Sequence, residues 1–167
     1  GDEQDQILNC QHSVNWIPNG YPGEGNFILF NNFHEGSQSA VLEFMPPLEE
    51  GDYILDDGHS LPYGPTTWEW IYSGDITTPM QGGAFRLENG NTLICDQRRG
   101  QVVEVARSGN VVWKMTGLGR PMSALRMENG RTLILEQSSN RVIEVDRAGR
   151  IVHQIDGFNY PQAISIY

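Results

Sequence analysis

The sequence predicts an all-β chain of repeated four-stranded antiparallel units, and three observations predict it. A segment is written twice, forty positions apart: AFRLENGNTLI at Ala84–Ile94 returns as ALRMENGRTLI at Ala124–Ile134. Downstream of each, VEVARSGNVVW at Val103–Trp113 returns as IEVDRAGRIVH at Ile143–His153. Apolar residues alternate with polar ones at period two around Glu104 and Glu144, the signature of strands with two unlike faces. Nowhere does a 3.6-residue period persist, so helix is expected to be scarce. A fixed period near 40 in β-type sequence marks radially repeated blades, the β-propeller arrangement.

Taken in order, residues 1–9 are polar and read as a flexible N-terminus. A first strand-like run reaches Ile17 and ends in Pro18-Asn19-Gly20, an Asn-Gly that parallels Asn89-Gly90 and Asn129-Gly130. Asn-Gly accommodates the positive φ of a tight hairpin turn. Apolar strands follow at Asn26–Phe30, Asn91–Cys95 and Arg131–Leu135, so a degenerate first copy is present, with Tyr21–Gly25 inserted in its turn. Its third strand, Ala40–Phe44, carries Glu43 where the others carry Glu104 and Glu144. An insertion from Met45 through Pro65 has turn signals at Pro46-Pro47, Asp57-Gly58 and Gly64-Pro65. Thr66–Tyr72 is the expected fourth strand. The predicted blades are therefore about 10–79, 80–121 and 122–161, with a terminal strand at 162–167, all in one domain over 10–167. Three blades are too few for a ring, which needs about four to eight. The expected partner is a second copy, two copies making one six-bladed ring, and a lone terminal strand is the kind that completes a neighbouring blade.

Composition narrows the function. A length of 167 residues allows one domain with a real core. A net charge of −10, with Lys114 the single lysine, argues against nucleic acid as a partner, since phosphate-backbone binding needs clustered Lys and Arg. No apolar run is long enough for a membrane span. Cys10 and Cys95 read as two buried small apolar residues, with one disulfide between them the alternative; no Cys/His spacing resembles a metal site, and no cofactor is implied. Asp56-Asp57-Gly58 lacks the remaining ligand spacing of a calcium loop, and Gly23-Glu24-Gly25 precedes no helix and is no phosphate loop.

The stretch from Cys10 to Asn32 (CQHSVNWIPNGYPGEGNFILFNN) resembles the arylsulfotransferase, or aryl-sulfate sulfotransferase, propellers. Members of that family carry a Gln-His, a Pro-Asn-Gly-like turn and an apolar strand ending in Asp/Asn-Asn. Gly82–Asp96 and the Val-Glu-Val…Val-Val-Trp pattern continue the likeness, which covers nearly all of this chain but corresponds to the carboxy-terminal half of a family member. The resemblance implies a six-bladed propeller in a periplasmic or secreted location. It also implies transfer of a sulfuryl group from an aryl sulfate to a phenolic acceptor through a sulfohistidine. The Gln-His of the motif places the nucleophile at His12, whereas the family's supporting cations come largely from blades outside this chain.

The repeat fixes where His12 sits. Five residues before Ile17, it aligns with Gly82, Met122 and Gln162, early in first strands that line a propeller's channel. A neutral imidazole there is a competent nucleophile and leaving group. Gln11, Trp16, Gln81 and Gln162 are the candidate substrate-binding residues. Arg86 and Arg126, with Glu88 and Glu128, recur by repeat and read as ion pairs between blades. Trp68, Trp70 and Trp113 read as packing between sheets. His34 and His59 read as loop residues, and His153, in the place of Trp113, as surface. The alternative reading is a non-catalytic propeller that binds a carbohydrate, peptide or protein on one face; a third is a fragment of a larger propeller.

Overall fold

The structure is a computed structural model that describes residues 6–53 and 67–164. Three four-stranded antiparallel sheets follow one another along the chain. Blade 1 comprises β1 (Gln11–Trp16), β2 (Phe27–Glu35), β3 (Gln38–Phe44) and, beyond the small hairpin of β4 (Leu48–Glu49) and β5 (Asp52–Tyr53), β6 (Trp70–Tyr72). Blade 2 is β7 (Gly83–Arg86), β8 (Thr92–Asp96), β9 (Gln101–Val105) and β10 (Val111–Met115). Blade 3 is β11 (Pro121–Arg126), β12 (Thr132–Glu136), β13 (Arg141–Val145) and β14 (Ile151–Asp156). The chain is all-β and forms half of a propeller. Among the described residues no helix is long and apolar enough to cross a membrane.

Period-two alternation gives each sheet two apolar faces, and neighbouring blades bury them against each other. Ile28, Phe30 and Val41 of blade 1 meet Ala84, Ile94 and Val103 of blade 2 in one core. Leu93, Cys95 and Val102, on the other face of blade 2, meet Ala124, Ile134 and Ile143 of blade 3 in the next. Each seam is locked by charge. Glu43 accepts from Arg86 of blade 2 through a short ion pair and from Arg107 at 2.7 Å, while Asn26 donates to its other oxygen at 2.9 Å. One period on, Glu104 accepts from Arg126 at 2.7 Å, Arg147 at 2.6 Å and Asn91 at 2.7 Å. An aromatic completes each lock. Trp70 donates its indole N–H to the Arg107 carbonyl at 2.9 Å beneath the Arg86 guanidinium, and Trp113 donates to the Arg147 carbonyl at 3.0 Å beneath Arg126.

Burial, opposed by Glu43 and reinforced by Arg107, lowers the Arg86 pKa to about 10, which leaves it a cation at neutral pH. Burial alone would raise Glu104. Hydrogen bonds from Asn91 and Arg147 and the charges of Arg126 and Arg147 outweigh it and hold this carboxyl below its usual value. The repeated arginines thus pair across blades as expected, but with the third-strand glutamates; Glu88 and Glu128 are exposed instead.

Further expectations are corrected. The structural counterpart of Gly90 is Gly25, not Gly20: Gly25 N–H bonds the Ile17 carbonyl as Gly90 N–H bonds the Leu87 carbonyl. The insertion Tyr21–Gly25 separates Asn19-Gly20 from the strand that the turn must feed. In these turns only the glycine takes positive φ (+79° at Gly25, +85° at Gly90). Asn89 and Asn129 act through their side chains, each accepting the backbone N–H two residues on at 3.0 Å. His34 lies inside β2 rather than in a loop, and Cys10 is exposed, only Cys95 being buried; both cysteines are free. The fourth strand of blade 1 is shorter than expected, Trp70–Tyr72. Residues 161–164 form no strand, and the remainder of the expected terminal strand, like His59 and Asp56-Asp57-Gly58, lies outside the described residues.

Candidate functional site

The first strands β1, β7 and β11 begin beside one another, and their early residues line a cleft of about 330 Å³. His12, Asn15, Gln81, Gly82, Met122 and Gln162 are among its walls. Counting along the repeat aligns His12 with Gly82, Met122 and Gln162, and all four border this cleft. The pairing register adds a refinement. His12 lies opposite Phe30, the place in the ladder where Gly83 faces Cys95 and Ser123 faces Leu135. A β-bulge between His12 and Asn15 takes up one extra residue, with Ser13 at φ +53°, and so moves the histidine by one ladder position. Bulges re-aim side chains at strand ends, and this one belongs to the irregular first copy.

The histidine is held in one tautomer. Its Nδ1 lies 2.6 Å from Asn32 Oδ1 and 3.0 Å from the Cys10 carbonyl. Asn32 is fully buried, and its amide nitrogen donates to the carbonyls of Thr78 at 2.8 Å and Gln81 at 2.6 Å. Two carbonyls leave the amide one orientation: nitrogen toward them, oxygen toward the imidazole. Both neighbours of Nδ1 are then acceptors, so Nδ1 carries a proton and the neutral ring is the tautomer that presents its lone pair at Nε2. Nε2 has no hydrogen-bond partner among the described residues. Gln81, held at φ +62°, supplies the carbonyl that fixes Asn32, and its side-chain oxygen accepts from Gln97 at 2.7 Å. Buried Asn32 corresponds in the repeat to Gln97 and Gln137, so a polar position of the scaffold serves the histidine in this one blade.

Of the residues named from sequence, the cleft gathers His12, Gln81 and Gln162. Gln11 is exposed on β1 and pairs with Asn31, outside the lining. Trp16 lies on the face of blade 1 turned away from blade 2, its ring 3.9 Å from that of Phe27. Asn32 was missed. Its signal was present in the Asn31-Asn32 that follows the apolar run Phe27–Phe30, but only the folded chain brings it under an imidazole twenty residues earlier. Among the described residues no lysine or arginine lines the cleft. A second cleft of about 460 Å³ does hold Arg86, Arg126 and Arg147, all of them engaged by Glu43 or Glu104. Among the described residues no cluster of three or more His, Cys, Asp or Glu side chains is placed to hold a metal.

No family model matches the chain. No curated protein matches it either. Solved structures do. A protein of unknown function from Bacteroides caccae is 17% identical at a TM-score of 0.59, over 87% of this chain and 46% of that one. Virginiamycin B lyase from Staphylococcus aureus is 10% identical at a TM-score of 0.56, over 92% of this chain and 44% of that one. BamB from Moraxella catarrhalis is 12% identical at a TM-score of 0.50, over 86% and 35%. At these identities the likeness establishes the propeller fold alone. The chain spans less than half the length of each of these structures.

Proposed function

We propose that this chain supplies the nucleophile-bearing blades of an arylsulfotransferase-like propeller, with His12 as the group that carries the sulfuryl. The observation that supports the reading is the Asn32–His12 pair, which fixes the tautomer whose Nε2 lone pair is presented beside a cleft. In the first half-reaction the Nε2 lone pair attacks the sulfur of an aryl sulfate. The N–S bond forms as the S–O(aryl) bond breaks, and the phenolate departs and takes up a proton. The imidazole gains positive charge in this step, and Asn32 Oδ1 and the Cys10 carbonyl stabilise it through Nδ1–H. In the second, the oxygen of an acceptor phenol attacks the same sulfur, the N–S bond breaks, and the acceptor's proton is released. Cations that stabilise the sulfuryl oxygens must come from blades beyond these three, because the cleft contains none of its own.

The test is transfer from 4-nitrophenyl sulfate to phenol by the assembled protein, read as nitrophenolate release. His12→Ala should abolish it. Release that persists at the same rate in His12→Ala sinks the proposal.

A second reading, a non-catalytic propeller module that binds a neutral hydroxyl-bearing ligand at the same cleft, is favoured by one observation: among the described residues the lining holds no lysine, arginine, aspartate or glutamate. There His12 Nε2 accepts a hydrogen bond from the ligand. Calorimetry that finds 4-nitrophenyl glucoside bound and 4-nitrophenyl sulfate not bound selects this reading over the first.

A further inference from the structure

The two inner seams of the half-ring share one plan, and the two open faces depart from it in opposite ways. At an inner seam the leading blade contributes a third-strand glutamate, an asparagine on that glutamate and an aromatic directly across from it. Glu43 faces Trp70 in the ladder and Glu104 faces Trp113. The following blade contributes two arginines, one ending its first strand and one after its third: Arg86 with Arg107, then Arg126 with Arg147.

On the open face of blade 3 the glutamate remains, as Glu144, but its neighbours change. His153 stands across from it in place of tryptophan. Arg131 stands in place of Asn26 and Asn91, and holds Glu144 Oε1 at 2.8 Å while remaining about half-exposed. The cation that inner seams receive from the following blade is thus supplied by blade 3 itself. On the open face of blade 1 the reverse change is made. Trp16 occupies the position of Arg86 and Arg126, and Pro46 that of Arg107 and Arg147. Trp16 is 50% exposed, at the end of a row Trp16–Phe27–Phe44 that replaces Arg–Thr–Val of the other blades. Leu8 and Trp68 pack over Leu29, Ala40 and Leu42 on this face and leave Trp16 accessible.

A glutamate, a cation and an aromatic are therefore all present across the two open faces, with cation and aromatic exchanged between the sides. A blade of the inner plan set against blade 3 would bring two arginines to a carboxylate that already holds one, three cations where Glu43 and Glu104 each hold two. A face that offers tryptophan and no cation fits. We infer that the open face of blade 3 docks onto the open face of blade 1 of a second copy, Arg131 over Trp16 in a cation–π contact of reversed polarity. The contact is head-to-tail, so each copy uses both faces, and three blades per copy close the ring at two. The inference is independent of what His12 does.

Sedimentation equilibrium on the full chain tests it. The expected mass is twice 18.7 kDa, with no larger species. Trp16→Arg, which sets cation against Arg131, should raise the dimer dissociation constant by about 3- to 30-fold, the range a lost cation–π contact spans. Arg131→Asn added to Trp16→Arg gives these two positions the asparagine and arginine of an inner seam and should restore the dimer, which also shows that the single variant still folds. A chain that stays at 18.7 kDa at its highest soluble concentration overturns the inference. So does growth beyond two copies, a dimer indifferent to Trp16→Arg, or a double variant no tighter than the single one.

Discussion

The two clefts beside the first strands share Phe85 and differ in almost everything else. One holds three arginines, every one in an ion pair that repeats from seam to seam. The other holds no cation, and its imidazole is unique to one blade. Charge at a repeated position is scaffold here, because each blade needs the same lock against its neighbour. The exceptional residue at a repeated position is where chemistry can sit, because the scaffold does not require it. Asn32 belongs to both worlds: its repeat position is buried and polar in every blade, and only in blade 1 does it meet a histidine.

The comparison breaks most readily at Glu43. Glu43→Ala leaves Arg86, whose side chain is fully buried, without its carboxylate, and should destabilise the chain by about 3–5 kcal/mol in urea unfolding. His12→Ala, on the part-buried side of the other cleft, should change stability by less than about 1 kcal/mol. Equal effects would erase the distinction between lock and site. Next in size, Asn32→Ala strips the donors from two carbonyls and should cost about 1–3 kcal/mol. If His12 is the nucleophile, it should also slow transfer by about 10- to 100-fold, as when a group orienting a functional histidine is removed.

Asn32→Asp sharpens the point without removing the side chain. A carboxylate keeps an acceptor at Nδ1 but takes the amide N–H donors from the Thr78 and Gln81 carbonyls, so Asn32→Asp should cost stability as Asn32→Ala does while slowing transfer less. Equal slowing in the two variants would show that the Asn32 oxygen does not orient the ring.

Two smaller effects probe the scaffold side. Glu104 titrates below its usual value when folded, so its contribution to stability is complete above the unfolded value of about 4.3 and is lost as pH falls through the folded one. The parent should lose urea resistance in that acid window, and Glu104→Gln should flatten this part of the profile. Gly25→Ala, at φ +79° with open space around its Cβ position, should cost about 1 kcal/mol of backbone strain with no steric clash. The same substitution at Gly20, at φ +82° and equally open, should cost a similar amount, but only Gly25 carries the turn hydrogen bond to Ile17 and so should also shift the start of β2.

Much of this was legible in the residues. Period-two alternation and a forty-residue repeat determined the blades, their number and the recurrence of Arg86 and Arg126, because strand faces and repeat copies are properties of spacing. The same spacing put His12 level with Gly82, Met122 and Gln162. What no spacing reveals is which side chains meet across sheets. The glutamates that hold the arginines lie 43 and 22 residues away in sequence, on a neighbouring blade. Trp16 follows His12 by four residues yet turns to the far face, since alternation and a bulge between them decide the side. The orientation of Asn32, and with it the free nitrogen of His12, depends on carbonyls of Thr78 and Gln81 that arrive from the start of blade 2. Sequence set the faces of each strand by local geometry, and only the docking of one sheet on the next decided the partners, because hydrogen bonds and ion pairs depend on distances that the chain acquires when it folds.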